Sequence, residues 1–194
     1  MKLRQFGLWV ILAFHAISFS AIAQSRSPKD WRTLEPNTVT LFSRSKYKDQ
    51  FDGYGKSAFS FKRGVRDDND REITRNNYEL QYGNINLNGD SDWFTVTMTS
   101  DDRSRIKDLG VLQWSDIVEV PLLPASTELE GFRVPSKTET QDTSPNVARV
   151  VAGHLYVVHS KDSDSDFYTL FRVDNLLPSD QVNISWKVVP SPEK

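Results

Sequence analysis

The stretch from His154 to Val173 reads HLYVVHS-KDSDSD-FYTLFRV. Both arms are rich in β-branched and aromatic residues, which suit a pleated, packed surface. Six polar residues, Lys161–Asp166, separate them. That is too long for a two-residue turn, so the expectation is an antiparallel hairpin with a projecting, solvent-facing tip. His154–Ser160 would pair with Phe167–Val173. Just downstream, Val182, Ile184, Trp186 and Val188 alternate with Asn183, Ser185 and Lys187. A period of two predicts a strand buried on one face, with Trp186 in the core.

The same alternation recurs upstream. Phe94, Val96 and Met98 interleave with Thr95, Thr97 and Thr99. Phe59 and Phe61 flank Ser60, while Tyr78, Leu80 and Tyr82 flank Glu79 and Gln81. Val39, Leu41 and Ser43 make a weaker case, and Asn84–Asp90 (NINLNGD) reads as a short strand between turns. One helix candidate exists, Asp101–Leu109, with Ser100 as N-cap and Gly110 as stop; a single turn or a loop fits it equally well. A parallel α/β sheet would need crossover helices of about ten residues or more, and no such pattern is present. The fold class expected is therefore all-β, an antiparallel sandwich or barrel-like domain with little helix.

The ends divide differently. Lys2 and Arg4 precede an uncharged apolar run from Phe6 to Phe19, which closes on Ala21-Ile22-Ala23. A basic start, an apolar middle and a small-x-small ending predict a secretory signal peptide over residues 1–23, cut before Gln24. The competing reading is an uncleaved anchor, because a span takes about 20 residues; Ser18, Ser20, Gln24 and His15 weaken it. After cleavage no transmembrane segment is expected. Residues 24–37 (QSRSPKDWRTLEPN) are a polar linker whose Trp31 can pack back on the domain. Residues 38–190 are read as a single all-β domain. A long Pro/Ser/Thr-rich connection at 121–146, with a short strand at Gly131–Val134, interrupts it. A division into two domains there is the alternative, but about four remaining strands are thin for independent stability.

Composition excludes several functions. The chain has 194 residues, no cysteine, 24 Lys and Arg against 26 Asp and Glu, and a net charge of −2. Thiol catalysis, disulfides and cysteine metal sites are ruled out. An exported chain without disulfides suits a bacterial envelope, secreted or periplasmic. The interspersed charges give no basic footprint for nucleic acid. One sequon, Asn183-Ile184-Ser185, matters only in a glycosylating compartment.

Chemical motifs are weak. Asp162, Asp164 and Asp166 alternate with serine in the hairpin tip, and hard calcium favours such oxygens. Counted from Asp162, however, the sixth and twelfth positions are Phe167 and Val173, where a calcium loop of the EF-hand type needs Gly and Glu. A solvated loop explains the string, and no metal or cofactor is assigned. Asp67-Asp68-Asn69-Asp70 is a second acidic cluster, flanked by Arg66 and Arg71; calcium would need the two loops to meet. His154 and His159 are five apart, so on one regular strand they face opposite ways and cannot share a substrate. Asp162 is the expected partner of His159. Neither a Gly-x-Ser-x-Gly elbow nor a His-Glu-x-x-His pattern occurs. No catalytic residue is assigned.

Tyr47, Phe51 and Tyr54, interleaved with Lys46, Lys48 and Lys56 in a Gly-containing loop, are the first choice for a ligand-binding surface. Phe59 and Phe61 beyond them belong to the core. The function expected is a non-catalytic exported β-domain with a binding or structural role, its partner an envelope protein or a polysaccharide. The alternatives are a carbohydrate-binding module, calcium-assisted, and a carboxylate-dependent hydrolase.

Overall fold

Alternating β-formers pair with one another in a computed structural model of the chain, which describes residues 30–48, 50–66, 78–85, 89–96, 104–123, 145–162 and 165–192. In chain order these residues form β1 (Asn37–Phe42), α1 (Gln50–Ser57), β2 (Ala58–Ser60), β3 (Val65–Arg66), β4 (Leu80–Tyr82) and β5 (Trp93–Thr95). β6 (Arg105–Gly110), β7 (Val147–Arg149), β8 (Leu155–Lys161), β9 (Asp166–Leu177) and β10 (Gln181–Val189) follow. Short 3-10 turns occur at Trp31–Thr33, Arg44–Lys46 and Trp114–Asp116.

The strands make two five-stranded sheets, ordered β1-β10-β9-β8-β6 and β3-β2-β4-β5-β7, and every pairing is antiparallel. The fold is all-β, as the alternation predicts. The helix candidate at 101–109 is overturned: its described part is the edge strand β6, paired with β8 from Arg105↔His159 to Gly110↔Leu155. Only Ile106 and Leu109 give that segment an apolar side, too little to hold a helix, whereas the β8 edge offers it a complete ladder.

One face of each sheet meets the other in a common core. Leu41, Ile106, Tyr156, Val158, Phe171, Val173, Val182, Ile184 and Trp186 face Phe59, Phe61, Leu80, Tyr82, Phe94, Val96, Ala148 and Val150. Its centre is aromatic: Tyr156 stacks on Phe171 at 4.9 Å, Phe94 meets Phe171 edge-on at 5.1 Å, and Trp186 meets Phe59 at 5.4 Å. Such pairs add about 0.5–1.5 kcal/mol each beyond their buried area. The open sides of the sandwich are bridged as well. On one, Ile106 N–H donates to Pro145 O at 2.8 Å; on the other, Arg66 Nη1 donates to Thr40 O at 2.6 Å.

The hairpin ladder runs further than the sequence suggests. Lys161 pairs with Asp166, so both belong to the ladder rather than to the tip. Asp162 N–H donates to Ser165 O at 3.0 Å. Asp162 is half-buried and Ser165 is buried.

β10 departs from the one-sided reading in the same direction. Ser185 and Lys187, expected outward, are buried, and Val188 is the exposed position at 45%. The reason is a second apolar layer. Trp31, Leu34, Leu112, Trp114, Ile117, Val120 and Leu123 cover Leu155, Val157, Tyr168, Leu170 and Val189 on the outer face of the larger sheet. Trp31 does pack back on the domain, as expected of it in the linker.

A Trp186→Ala substitution removes the indole wedged against Phe59 and Phe61. It should cost about 3–5 kcal/mol, the range for large aromatics truncated in cores. Urea unfolding followed by circular dichroism reads this directly. A denaturant midpoint within error of wild type would mean that the indole is not a core element.

Candidate functional site

Alternation places Ser60, Glu79, Gln81 and Thr95 on the face of the smaller sheet turned away from the common core. All four are buried, although all are polar. α1 supplies part of the cover. Ser57 Oγ donates to Gly53 O at 2.5 Å and accepts from Gln81 Nε2 at 3.0 Å, and Tyr78 Oη donates to Gln81 Oε1 at 3.2 Å. Thr95 Oγ1, beside Gln81 in the ladder, has no hydrogen-bond partner.

Glu79 is the titratable group of this face. Burial pushes its carboxyl up to about 7, and the nearby Asp162 adds to the rise. A hydrogen bond from Ser60 and backbone N–H groups of Lys62 and Phe61 oppose it. Lys62 Nζ reaches Ser165 Oγ at 3.5 Å. The β2–β3 turn, Glu79 and the β8–β9 turn therefore meet at one end of the sandwich. The sequence marks Asp162 but not Glu79, whose alternation in YELQY is visible while the cover over its face is not.

The remaining candidates scatter. Tyr47 is half-buried at the end of the Arg44–Lys46 turn, and Arg44 Nη1 donates to its carbonyl at 2.6 Å. Phe51 and Tyr54 lie on α1 rather than in a loop, a correction to the expectation from sequence. Gly53 lets α1 sit there, because a Cβ at that position would fall 2.5 Å from Arg44 Nε. Of the Asp string, Asp162 adjoins Glu79, Asp166 belongs to β9, and Asp164 lies outside the described residues, as do Asp67–Asp70, residues 1–23 and the Gly131–Val134 strand. Among the described residues no group of three or more His, Asp or Glu is placed to hold a metal ion.

Each histidine has its own carboxylate. His154 Nδ1 contacts Asp108 Oδ2 at 2.9 Å. His159 Nε2 meets Asp166 Oδ1 at 3.0 Å, so Asp166, not Asp162, orients this ring. Lys161 first, and His159 with it, hold the Asp166 carboxyl below its ordinary value. Asn183 of the sequon sits inside β10, paired with Thr40 and Asn175, and its Oδ1 is buried.

The other polar junction is structural. Tyr82 Oη donates to Asp92 Oδ1 at 2.5 Å, and Ser179 N–H donates to the same oxygen at 2.7 Å. Burial, then this bond, drives the Tyr82 hydroxyl far above its ordinary range.

Because native Glu79 holds its proton more tightly than the unfolded chain, its stabilising contribution is complete below about 4.5. It is lost as pH rises through about 7. The shift corresponds to about 3 kcal/mol. Glu79→Gln should remove this dependence, so the stability difference between variant and wild type should move in the variant's favour by that amount from pH 4.5 to pH 8. Urea midpoints at several pH values measure it; a constant difference would contradict the assignment. No protein-family model, characterised protein or solved structure matches this chain.

Proposed function

We propose that this chain is an exported, non-catalytic β-domain that docks onto another component of a cell envelope. The observation that carries this reading is how its polar side chains are employed. His159 and Tyr168 hold the Leu123 backbone, Lys187 holds the Trp31 and Arg32 carbonyls, and Asp92 holds the β9–β10 turn. Groups committed in this way stiffen a scaffold; they are not free to bind and release a substrate. The signal-like N-terminus and the absence of cysteine support an exported location. Among the described residues no helix is long and apolar enough to cross a membrane. The binding surface assigned to Tyr47, Phe51 and Tyr54 spans the Arg44–Lys46 turn and α1, with the Arg44 side chain lying against Gly53.

Two measurements test the proposal. Mass mapping of the exported protein should find Gln24 as its first residue; intact Met1 in the mature pool would overturn cleavage after Ala23 in favour of an uncleaved anchor. A photo-crosslinking residue at position 47, 51 or 54 should yield a discrete covalent adduct with one envelope protein in cells, and the same residue at exposed Val188 should not. Adducts equal at all positions would overturn the docking surface. Turnover of a polysaccharide that disappears in Glu79→Gln would replace this reading with the carboxylate hydrolase.

A further inference from the structure

Residues 117–123 run as a strap over the outer face of the larger sheet, with Ile117 and Val120 buried and Leu123 packed partly against the same layer. Three polar contacts fix its end. His159 Nδ1 lies 2.7 Å from Leu123 O. Tyr168 Oη donates to that oxygen at 2.9 Å and accepts from Leu123 N–H at 3.2 Å. The His159 ring stacks on Tyr168 with centroids 4.3 Å apart.

Both nitrogens of His159 thus face acceptors, a carbonyl and the Asp166 carboxylate. Only the doubly protonated ring donates to both. A neutral ring has one N–H and must leave a lone pair against the other oxygen. We propose that His159 is a proton-operated clasp: the imidazolium ties the 117–123 strap to β9, and loss of one proton loosens the strap.

The direction follows from the strengths of the two bonds. A hydrogen bond to a carboxylate is about twice as strong as one to a neutral carbonyl. Leu123 O also keeps the Tyr168 hydroxyl, so it is the cheaper partner to lose. The remaining proton goes to Nε2, facing Asp166, and the Nδ1 lone pair then repels Leu123 O. The charged and titratable groups around the ring reinforce this. Asp166 comes from β9 and is shared with Lys161 of β8; Tyr168 stacks from β9; Arg105 of β6 stands opposite His159 in the ladder. From the strap, the contact with the ring is Leu123 O, and the strap's one acidic residue, Glu119, is exposed. At the acid end the clasp fails differently, when Asp166 takes up its proton.

Histidine is the side chain suited to such a change between about pH 5 and 8. The test uses the full chain. Nitrogen-15 spectra of the imidazole rings report ring charge and tautomer, and amide-exchange protection factors over Ile117–Leu123 report the strap. Protection should fall at least tenfold as the His159 ring loses its charge, with the surviving proton on Nε2. Asp166→Asn removes the competing carboxylate, so the proton should stay on Nδ1 and the strap should stay protected throughout. His159→Gln, with a single side-chain amide, should show no step. Unchanged wild-type protection across the ring's titration would overturn the clasp. A proton retained on Nδ1, or a step persisting in Asp166→Asn, would do the same.

Discussion

The central strands of the larger sheet are apolar on both faces, and the rest of the structure answers to that constraint. In β8, Tyr156 and Val158 point into the common core while Leu155 and Val157 point the other way, and all four are fully buried. Exposing that outer layer would cost roughly 25 cal/mol for each Å² of apolar area. The chain therefore lays two segments across it, one before β1 and one after β6. Each has only one 3-10 turn of its own, so the rest of its backbone takes partners from the other segment, where Arg32 donates to Ile117 O and Val118 O, and from the sheet. Lys187 is such a partner from beneath, its ammonium 3.2 Å from Arg32 O and 5.1 Å from the centre of the Trp114 ring. A buried lysine without such partners would lose its charge or unfold its surroundings.

The two sheets are tied by similar means at their other end. Asp92, just before β5, accepts from Tyr82 of its own sheet and from Ser179 in the β9–β10 turn. Ser179 adopts a φ of 57°, a conformation that costs a non-glycine residue free energy. The carboxylate's hold on its N–H offsets that cost. Nearby, Gly83 sits where a Cβ would lie 2.1 Å from Ser43 Oγ, so β4 and the end of β1 approach as only a glycine allows. Burial of apolar area supplies the bulk of the cohesion, while these polar ties fix the sheets' relative position.

Period-two alternation carries the fold because it is a local signal: β8, β9 and β10 lie where HLYVVHS, FYTLFRV and VNISWKV place them. What the alternation cannot carry is the second cover. Lys187 looks like a solvent-facing position until Trp31 and Trp114, far away in sequence, are folded over it. The same blindness hides Glu79. Its neighbours Tyr78 and Leu80 mark a strand, but burial of the outer face depends on α1 and other distant segments. Residues 46–57 look like a loop because glycines at 53 and 55 argue against a helix in isolation. Tertiary packing, with Arg44 lying against Gly53, overrides that preference. Pairing His159 with Asp162 fails for a simpler reason. The ladder extends to Lys161↔Asp166, and that brings Asp166 directly beside the ring.

The carboxyls so placed pull in opposite directions with pH. Asp166 is 57% exposed, so solvent screens its ties to Lys161 and His159, and what it adds above the acid range is small. Glu79 is buried, and its preference for the protonated form is correspondingly costly to oppose. As pH rises toward 7, the stability lost at Glu79 outweighs what Asp166 adds. The two sites share no contact, but both lie on segments that leave the sandwich at the β8–β9 end: Asp162 faces Glu79 from one side of that turn, and Asp166 holds His159 from the other. A proton taken up at Glu79 stabilises the fold, whereas one taken up at Asp166 weakens it. The two carboxyls together therefore favour mildly acidic surroundings, above the titration of Asp166 and below that of Glu79.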